Sequence, residues 1–420
     1  MTGGEQPSLR VLWFSTTPSL AGAALGTPTA GGGWIRSLEH EVRDHVDLSV
    51  AFYHDEDRPP FRQDSTTYHP MPRPRRSRSG RAVRRLTGAL ESEADVARLM
   101  DVVDAVGPDV IHVHGTEGPF GLLQRHTGIP VLLSIQALLT VYDLKYFSGL
   151  DRRSAGRSAG LNERLVRNSY ADRHRRIAKQ AEREREMLRM TRRLTGRTDW
   201  DRRVTSVLAP DATYDVVHEI LRPAFYDRVW RPPGNTDLQL LTTTGPNLYK
   251  GLETLLRCAR LLDERGVRYR WNVAGLAPGD PFVTLFERAL GTPLSPHVHL
   301  LGVLDDAALA EQMLASDLYV GVSHIENSPN SLCEAQLVGM PCVSTYAGGT
   351  SSLVTDGHDG ILVQDGDPYA MAGAVLELAS DPGHAAELAA RARVRASARH
   401  DRTAVTESVL RIYRELVSGR

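Results

Sequence analysis

Cysteine is scarce in this 420-residue chain: Cys258, Cys333 and Cys342 form an odd set without metal-ligand spacing. That rules against a disulfide framework or a cysteine-built zinc module and fits reduced thiols in a cytosolic protein. Long apolar runs are also missing, since the longest, VLLSIQALLTVYDL, is broken by Gln136 and Asp143 and is too short to span a bilayer. The opening MTGGEQPSLRVLWFS carries no basic stretch before its apolar run, so secretion is not expected. Aromatic stacking motifs and paired Cys/His ligands are absent, which argues against a nucleic-acid module. Neither a short-period repeat nor a long low-complexity tract is visible.

What is present is ordinary globular material, 41% hydrophobic and 24% charged, of a length that suits two large domains. The net charge of −1 conceals an uneven distribution: residues 1–212 hold 32 basic and 26 acidic groups, the remainder 18 and 25. The basic surplus comes from RPRRSRSGRAVRR (73–85) and the Arg-rich segment 151–193. These could attract an anionic acceptor or give peripheral contact with an acidic membrane surface; the plainer reading is solvated loop and helix faces.

The chain reads as α/β. LRVLWFS (9–15) is a short apolar run suited to a buried strand, followed by a Gly/Thr/Pro-rich loop and the helix-like WIRSLEHEV. DLSVAFY (47–53), DVIHVHG (109–115) and PVLLSIQ (130–136) continue the pattern of a doubly wound parallel sheet. The grammar then restarts with LQLLTTT (238–244), RWNVAGL (270–276), HVHLLGV (297–303), DLYVGVS (317–323) and PCVSTYA (341–347), alternating with helical segments. HEILRPAFYDRVWRPPGNTD, with Pro223, Pro232 and Pro233, suits a linker between two Rossmann-like units. The expected organisation is a unit over 1–212, a linker over 213–235, a second unit over 236–398, and a C-terminal helix over 399–420, whose amphipathic TAVTESVLRIYRELV packs back on the first unit.

Ligands of such sheets bind beyond the carboxyl ends of the strands. Several unusual residues stand there: Gly31 to Gly33 after the first strand, His114 ending VIHVH, Lys250 after LLTTTG, and Glu326 after LYVGVS. In HIENSPNSLCEAQLVGMPCV, Glu326 and Glu334 lie eight positions apart. Ser328 suits an N-cap, Pro329 the first helical position and Gly339 the C-terminal stop, so a helix is expected over about 329–338. Amides at the start of that helix, those of Asn330 and Ser331, have no intrahelical acceptor and favour an anion such as a phosphate. Glu334, one turn in, shares their face. Glu326, too close to a phosphate to be its ligand, suits neutral hydroxyls such as those of a sugar. Ribose, diphosphate and sugar together describe one ligand. The bland alternative is a solvated helix glutamate and a loop charge.

Ordered blocks decide between these readings. SHIENSPNSLCEAQLVGMPCVSTYAGGTSSLV, GPNLYKGLETLLRCAR, WNVAGLAPGD and VHLLGVLDDAALAEQMLASDLYVGVS resemble segments of family 4 glycosyltransferases of the two-Rossmann GT-B type, and together they cover about 238–365. The resemblance implies that Glu334 holds ribose, Glu326 holds the transferred sugar, and the amides around Asn330, Ser331 and Leu332 hold diphosphate. Lys250 matches the lysine that neutralises the leaving diphosphate, and its place at a helix start, against the dipole, calls for a nearby anion. His114 matches a position near the sugar, although a strand-ending histidine is often only structural. Gly245, Asn247, Gly32, Gly33 and Val303 fall at donor-binding positions by the same comparison.

The chain departs from the pattern where an arginine usually follows the glycine of the Lys250 segment, since Pro246 follows Gly245 here. Asn247, or a linker arginine such as Arg222, is the candidate replacement. Gln136 stands where many members have histidine, and GRTDWDRRV (196–204) replaces a plain strand and serine. The implied reaction is retaining transfer of a sugar from a nucleoside-diphosphate sugar, UDP favoured and GDP next, in polysaccharide or natural-product biosynthesis. The sequence shows no paired carboxylate nucleophile and no well-placed Asp-x-Asp, so neither a metal nor a cofactor is expected. A nucleotide-sugar epimerase, and a noncatalytic sugar-nucleotide-binding protein, are the competing readings.

Overall fold

The computed structural model describes residues 9–26, 33–73, 90, 93–157 and 169–419. Gly31 and Gly32, residues 74–85 of the basic run and residues 158–168 of the Arg-rich segment fall outside these.

The first sheet has eight strands: β1 Arg10–Ser15, β2 Asp47–His54, β3 Phe61–Gln63, β4 Thr66–Pro72, β5 Val110–His114, β6 Val131–Ser134, β7 Arg193–Gly196 and β8 Thr213–Val216. Their order is β3-β4-β2-β1-β5-β6-β7-β8. All neighbours pair in parallel except β3 with β4. Alternate residues of β1 point to opposite faces, and both faces are covered. Val11 and Trp13 pack with Val405, Val409 and Tyr413 of the final helix, Arg402–Ser418. Leu12 and Phe14 pack with Leu99 and Val103 on the other side. The final helix is pinned by a buried chain of hydrogen bonds. Trp13 Nε1 donates to the Tyr413 hydroxyl at 2.9 Å, and that hydroxyl lies 2.6 Å from His112 Nδ1.

The second sheet comprises β9 Leu238–Thr243, β10 Tyr269–Ala274, β11 Val298–Gly302, β12 Leu318–Gly321, β13 Cys342–Tyr346 and β14 Ile361–Gln364. It runs β11-β10-β9-β12-β13-β14 and its pairs are parallel. The five strands expected here are present with shorter bounds. Not anticipated were β3, β4, β7, β8 and β14. Four of them are only three or four residues long, and β4, TTYHPMP, carries two prolines, so none gave a readable alternation. Because β8 pairs with β7, the first unit extends past residue 212 into the stretch assigned to the linker.

The units face each other through specific contacts. Tyr146, Leu150 and Ala155, from the stretch after β6, belong to the apolar core of the second unit. Thr198 Oγ1 donates to Asn327 Oδ1 at 2.8 Å, and Asn327 Nδ2 donates to the Gln136 carbonyl at 3.1 Å. All three cysteines are buried and unpaired. Among the described residues no helix is long and apolar enough to cross a membrane.

Candidate functional site

A cleft of about 550 Å³ opens where the carboxyl ends of β9, β12 and β13 meet the first turn of the helix that follows β1. Lys250 enters it from a short turn, Leu248–Lys250, after β9. The next residue must be glycine: Gly251 has φ +73°, and a Cβ there would stand 1.8 Å from the Val322 carbonyl oxygen. This close approach presses the turn against the end of β12. Lys250 Nζ consequently meets Glu326 Oε1 at 2.5 Å, and Ser323 Oγ donates to the same oxygen at 2.8 Å. Both charged groups are partly covered, with side chains 26% and 13% exposed.

The helix Asn330–Val338 begins one residue later than expected, with Pro329 as its N-cap residue and Gly339 ending it in the left-handed conformation. Ser328 does not cap it. Its hydroxyl donates instead to Glu219 Oε1 at 2.5 Å, drawn away by a buried linker carboxylate. The helix start therefore lacks a side-chain cap; Asn330, Ser331 and Leu332 line the cleft there, but the Leu332 amide, expected to be open to a ligand, donates to the Pro329 carbonyl at 3.0 Å, which leaves those of Asn330 and Ser331. The Ser331 hydroxyl is used internally, 2.8 Å from the Tyr319 hydroxyl.

Glu334, fully buried, also borders the cleft. Arg222 grips it from the linker: Nε donates to Oε1 at 2.6 Å and Nη2 to Oε2 at 2.7 Å, while Nη1 donates to Asp306 Oδ1 at 2.6 Å. Burial pushes the Glu334 carboxyl up to about 7, with Arg222 opposing the shift and Asp306 and Glu219 adding to it. Burial works against the Arg222 charge, but the bonds and charges of Glu334 and Asp306 outweigh it and hold the guanidinium above its ordinary value. Of the two candidates for the missing arginine, Arg222 lines the cleft, whereas exposed Asn247 does not.

The remaining candidates separate in the same way. Gly33 and Gly245 line the cleft. Val303, 76% exposed, does not, because β11 ends at Gly302 and its next residue turns to solvent. Gly32 lies outside the described residues. His114 is buried behind the cleft wall, its ring 5.5 Å from that of Trp34, which lines the cleft. Neither His114 ring nitrogen has a hydrogen-bond partner among the described residues. Burial first, then His112 and Arg197, holds its pKa well below the usual histidine range.

The sequence reading missed Trp34, Asp306 and Arg197, all of which border the cleft. Arg197 follows β7, so the strand-end rule would have found it had β7 been recognised. Its guanidinium stacks 4.9 Å from the Trp34 ring, Nη2 donates to Gln136 Oε1 at 2.5 Å, and Nε lies 3.4 Å from Glu219 Oε2. The GRTDWDRRV segment thus forms the end of β7, a cleft arginine and the capped start of the helix Asp199–Leu208. Behind the 330 helix, atoms of Glu219, Cys333 and His400 lie within 4.8 Å of one another and could hold a metal ion by donor type. Glu219 is already engaged by Ser328 and Arg197. Burial favours its neutral form, yet Arg197, His400 and Ser328 draw it down to about 2.

Residues 236–395 match the family Glycosyl transferases group 1. A D-inositol 3-phosphate glycosyltransferase of Xylanimonas cellulosilytica is 31% identical over 47% of this chain and 47% of its own length. The chain covers between 35% and 47% of the length of the first curated relatives it matches. Among solved structures, sucrose-phosphate synthase of Thermosynechococcus elongatus superposes with a TM-score of 0.74 at 15% identity, over 99% of this chain and 100% of its own. Anabaena HepE in complex with UDP and glucose gives 0.63 at 15% identity, over 96% and 99%. The chain therefore has the GT-B fold, two Rossmann-like units facing across a cleft, and its second unit carries the match to group 1 glycosyl transferases.

Proposed function

We propose that the protein is a metal-independent, retaining glycosyltransferase that moves a sugar from a nucleoside-diphosphate sugar to an acceptor hydroxyl. UDP is the favoured nucleotide and GDP the next. The observation that carries this reading is the convergence of an uncapped helix start, Lys250, Glu326 and Glu334 on one cleft. The family match of the second unit and the UDP and glucose held by HepE support it.

In this scheme the diphosphate lies at the amides of Asn330 and Ser331, where the helix dipole favours negative charge. Donor binding separates Lys250 from Glu326: the ammonium turns to the phosphate oxygens and the carboxylate accepts from sugar hydroxyls. The bond between the anomeric carbon and the phosphate oxygen then breaks. The acceptor oxygen bonds to the anomeric carbon on the same face, and its proton passes to the departing phosphate oxygen. Lys250 and the helix amides stabilise the charge that grows on the diphosphate. His114 lies beneath the sugar position, with Trp34 between, and the acceptor approaches from the first unit.

A thermal-shift series with UDP, GDP, ADP and TDP tests the donor site, and stabilisation by none of them sinks the reading. Incubating the identified donor with and without acceptor then separates transfer from isomerisation.

A further inference from the structure

Arg222 lies in the connection between the two sheets, 112 residues from Glu334 in sequence, yet its guanidinium reaches both oxygens of that carboxylate. Three further features hold it there. Nη1 donates to Asp306, the guanidinium packs 4.9 Å from the Phe225 ring, and its stem crosses Gly33 so closely that a Cβ at 33 would stand 2.7 Å from Arg222 Cδ. The arginine is thus fixed in plane and in depth, and Gly33 is the residue that lets it pass. A carboxylate has four acceptor positions, and a guanidinium fork uses two. Two remain, one on the outer edge of each oxygen, and they point apart, so a single hydroxyl can meet either one.

We propose that Arg222 is the positioning residue for ribose recognition: it fixes the Glu334 carboxylate so that one of its free acceptor positions meets the 2′-hydroxyl of the nucleotide. This rests on the assignment of Glu334 to the ribose. It makes the preference for a ribonucleotide over its 2′-deoxy counterpart a property of Arg222. Burial favours the neutral form of Glu334, so loss of the guanidinium would leave a protonated carboxyl of unfixed orientation. A cation acting on the diphosphate would instead strengthen ribo and deoxy forms equally.

Titration calorimetry of the full chain with UDP and 2′-deoxy-UDP reads the difference, or with GDP or ADP and its deoxy form if that base binds more tightly. The unaltered chain is expected to favour the ribo form about tenfold, the value of one charge-assisted hydrogen bond. Arg222→Met is expected to bring the ratio to within about twofold, and Arg222→Lys, which keeps the charge without the fork, to lower it to about threefold. Arg222→Lys also serves if Arg222→Met fails to fold. An unchanged ratio in a folded variant, an equal loss of both ligands, or no ribo preference in the unaltered chain would overturn the inference while leaving the donor site standing. Failure of every nucleotide to bind the unaltered chain would overturn both.

Discussion

Lys250 and Glu326 neutralise each other across the cleft, Nζ to Oε1 at 2.5 Å, although one comes from the turn after β9 and the other from the loop after β12. The two groups that the proposed scheme gives to the diphosphate and the sugar are therefore each other's partners in this structure. A donor that brings both an anion and hydroxyls can replace the pair without stranding either charge.

Replacing Lys250 by Ala is expected to lower turnover by about 10²–10³-fold, the scale of one lost charge-stabilising donor, with a much smaller change in donor dissociation constant. Steady-state kinetics beside calorimetry measures both. Turnover at the level of the unaltered chain would remove Lys250 from the proposed chemistry.

Glu334 makes stability depend on pH. Its carboxyl stands at about 7 against an ordinary 4.5, raised first by burial and then by Asp306 and Glu219, with Arg222 opposing. Between these values the folded chain keeps a proton that the unfolded chain has released, so this group's contribution falls as pH rises through that window. Glu334→Gln is expected to flatten that part of the profile, measured by urea midpoints from pH 4.5 to 8. An unaltered slope would show that the carboxyl is ionised throughout.

Gly251→Ala combines a left-handed φ of +73° with a collision against the Val322 carbonyl. A loss of at least ~1–3 kcal/mol in chemical denaturation is expected from the backbone strain alone. Turnover should fall as well, since the Lys250 turn must move. A neutral effect on both would show that the turn is pliable.

Tyr413→Phe removes the hydroxyl that accepts from Trp13 and contacts His112 inside the first unit. Leaving those buried groups unpaired should cost about 1–3 kcal/mol of stability. Donor binding, which the proposed scheme assigns mainly to the other unit, should be unaltered, and calorimetry on the folded variant checks this.

Much of this arrangement was legible beforehand where a single stretch of chain carries its own signal. The apolar runs at 9–15 and 238–244 declare buried parallel strands, and Gly339 declares the end of a helix. The N-terminal boundary of that helix shifted because Ser328 answers to Glu219, a residue far away in sequence. Strands as short as RLTG and TYDV hold no periodicity, and with β7 unseen the role of Arg197 was unseen too.

By itself the sequence determined the two-unit α/β pattern, the helix start without an internal acceptor, and the presence of Lys250, Glu326 and Glu334 at strand ends and one helical turn in. Burial, helix termini and strand ends follow from local period and backbone chemistry, so they can be read from contiguous residues. Only the tertiary structure decided which groups meet: Arg222 with Glu334 and Asp306, Lys250 with Glu326, and the Trp34 ring with that of His114. Those pairings depend on how the linker and the carboxyl ends of two separate sheets converge, a distance relation that no local pattern encodes.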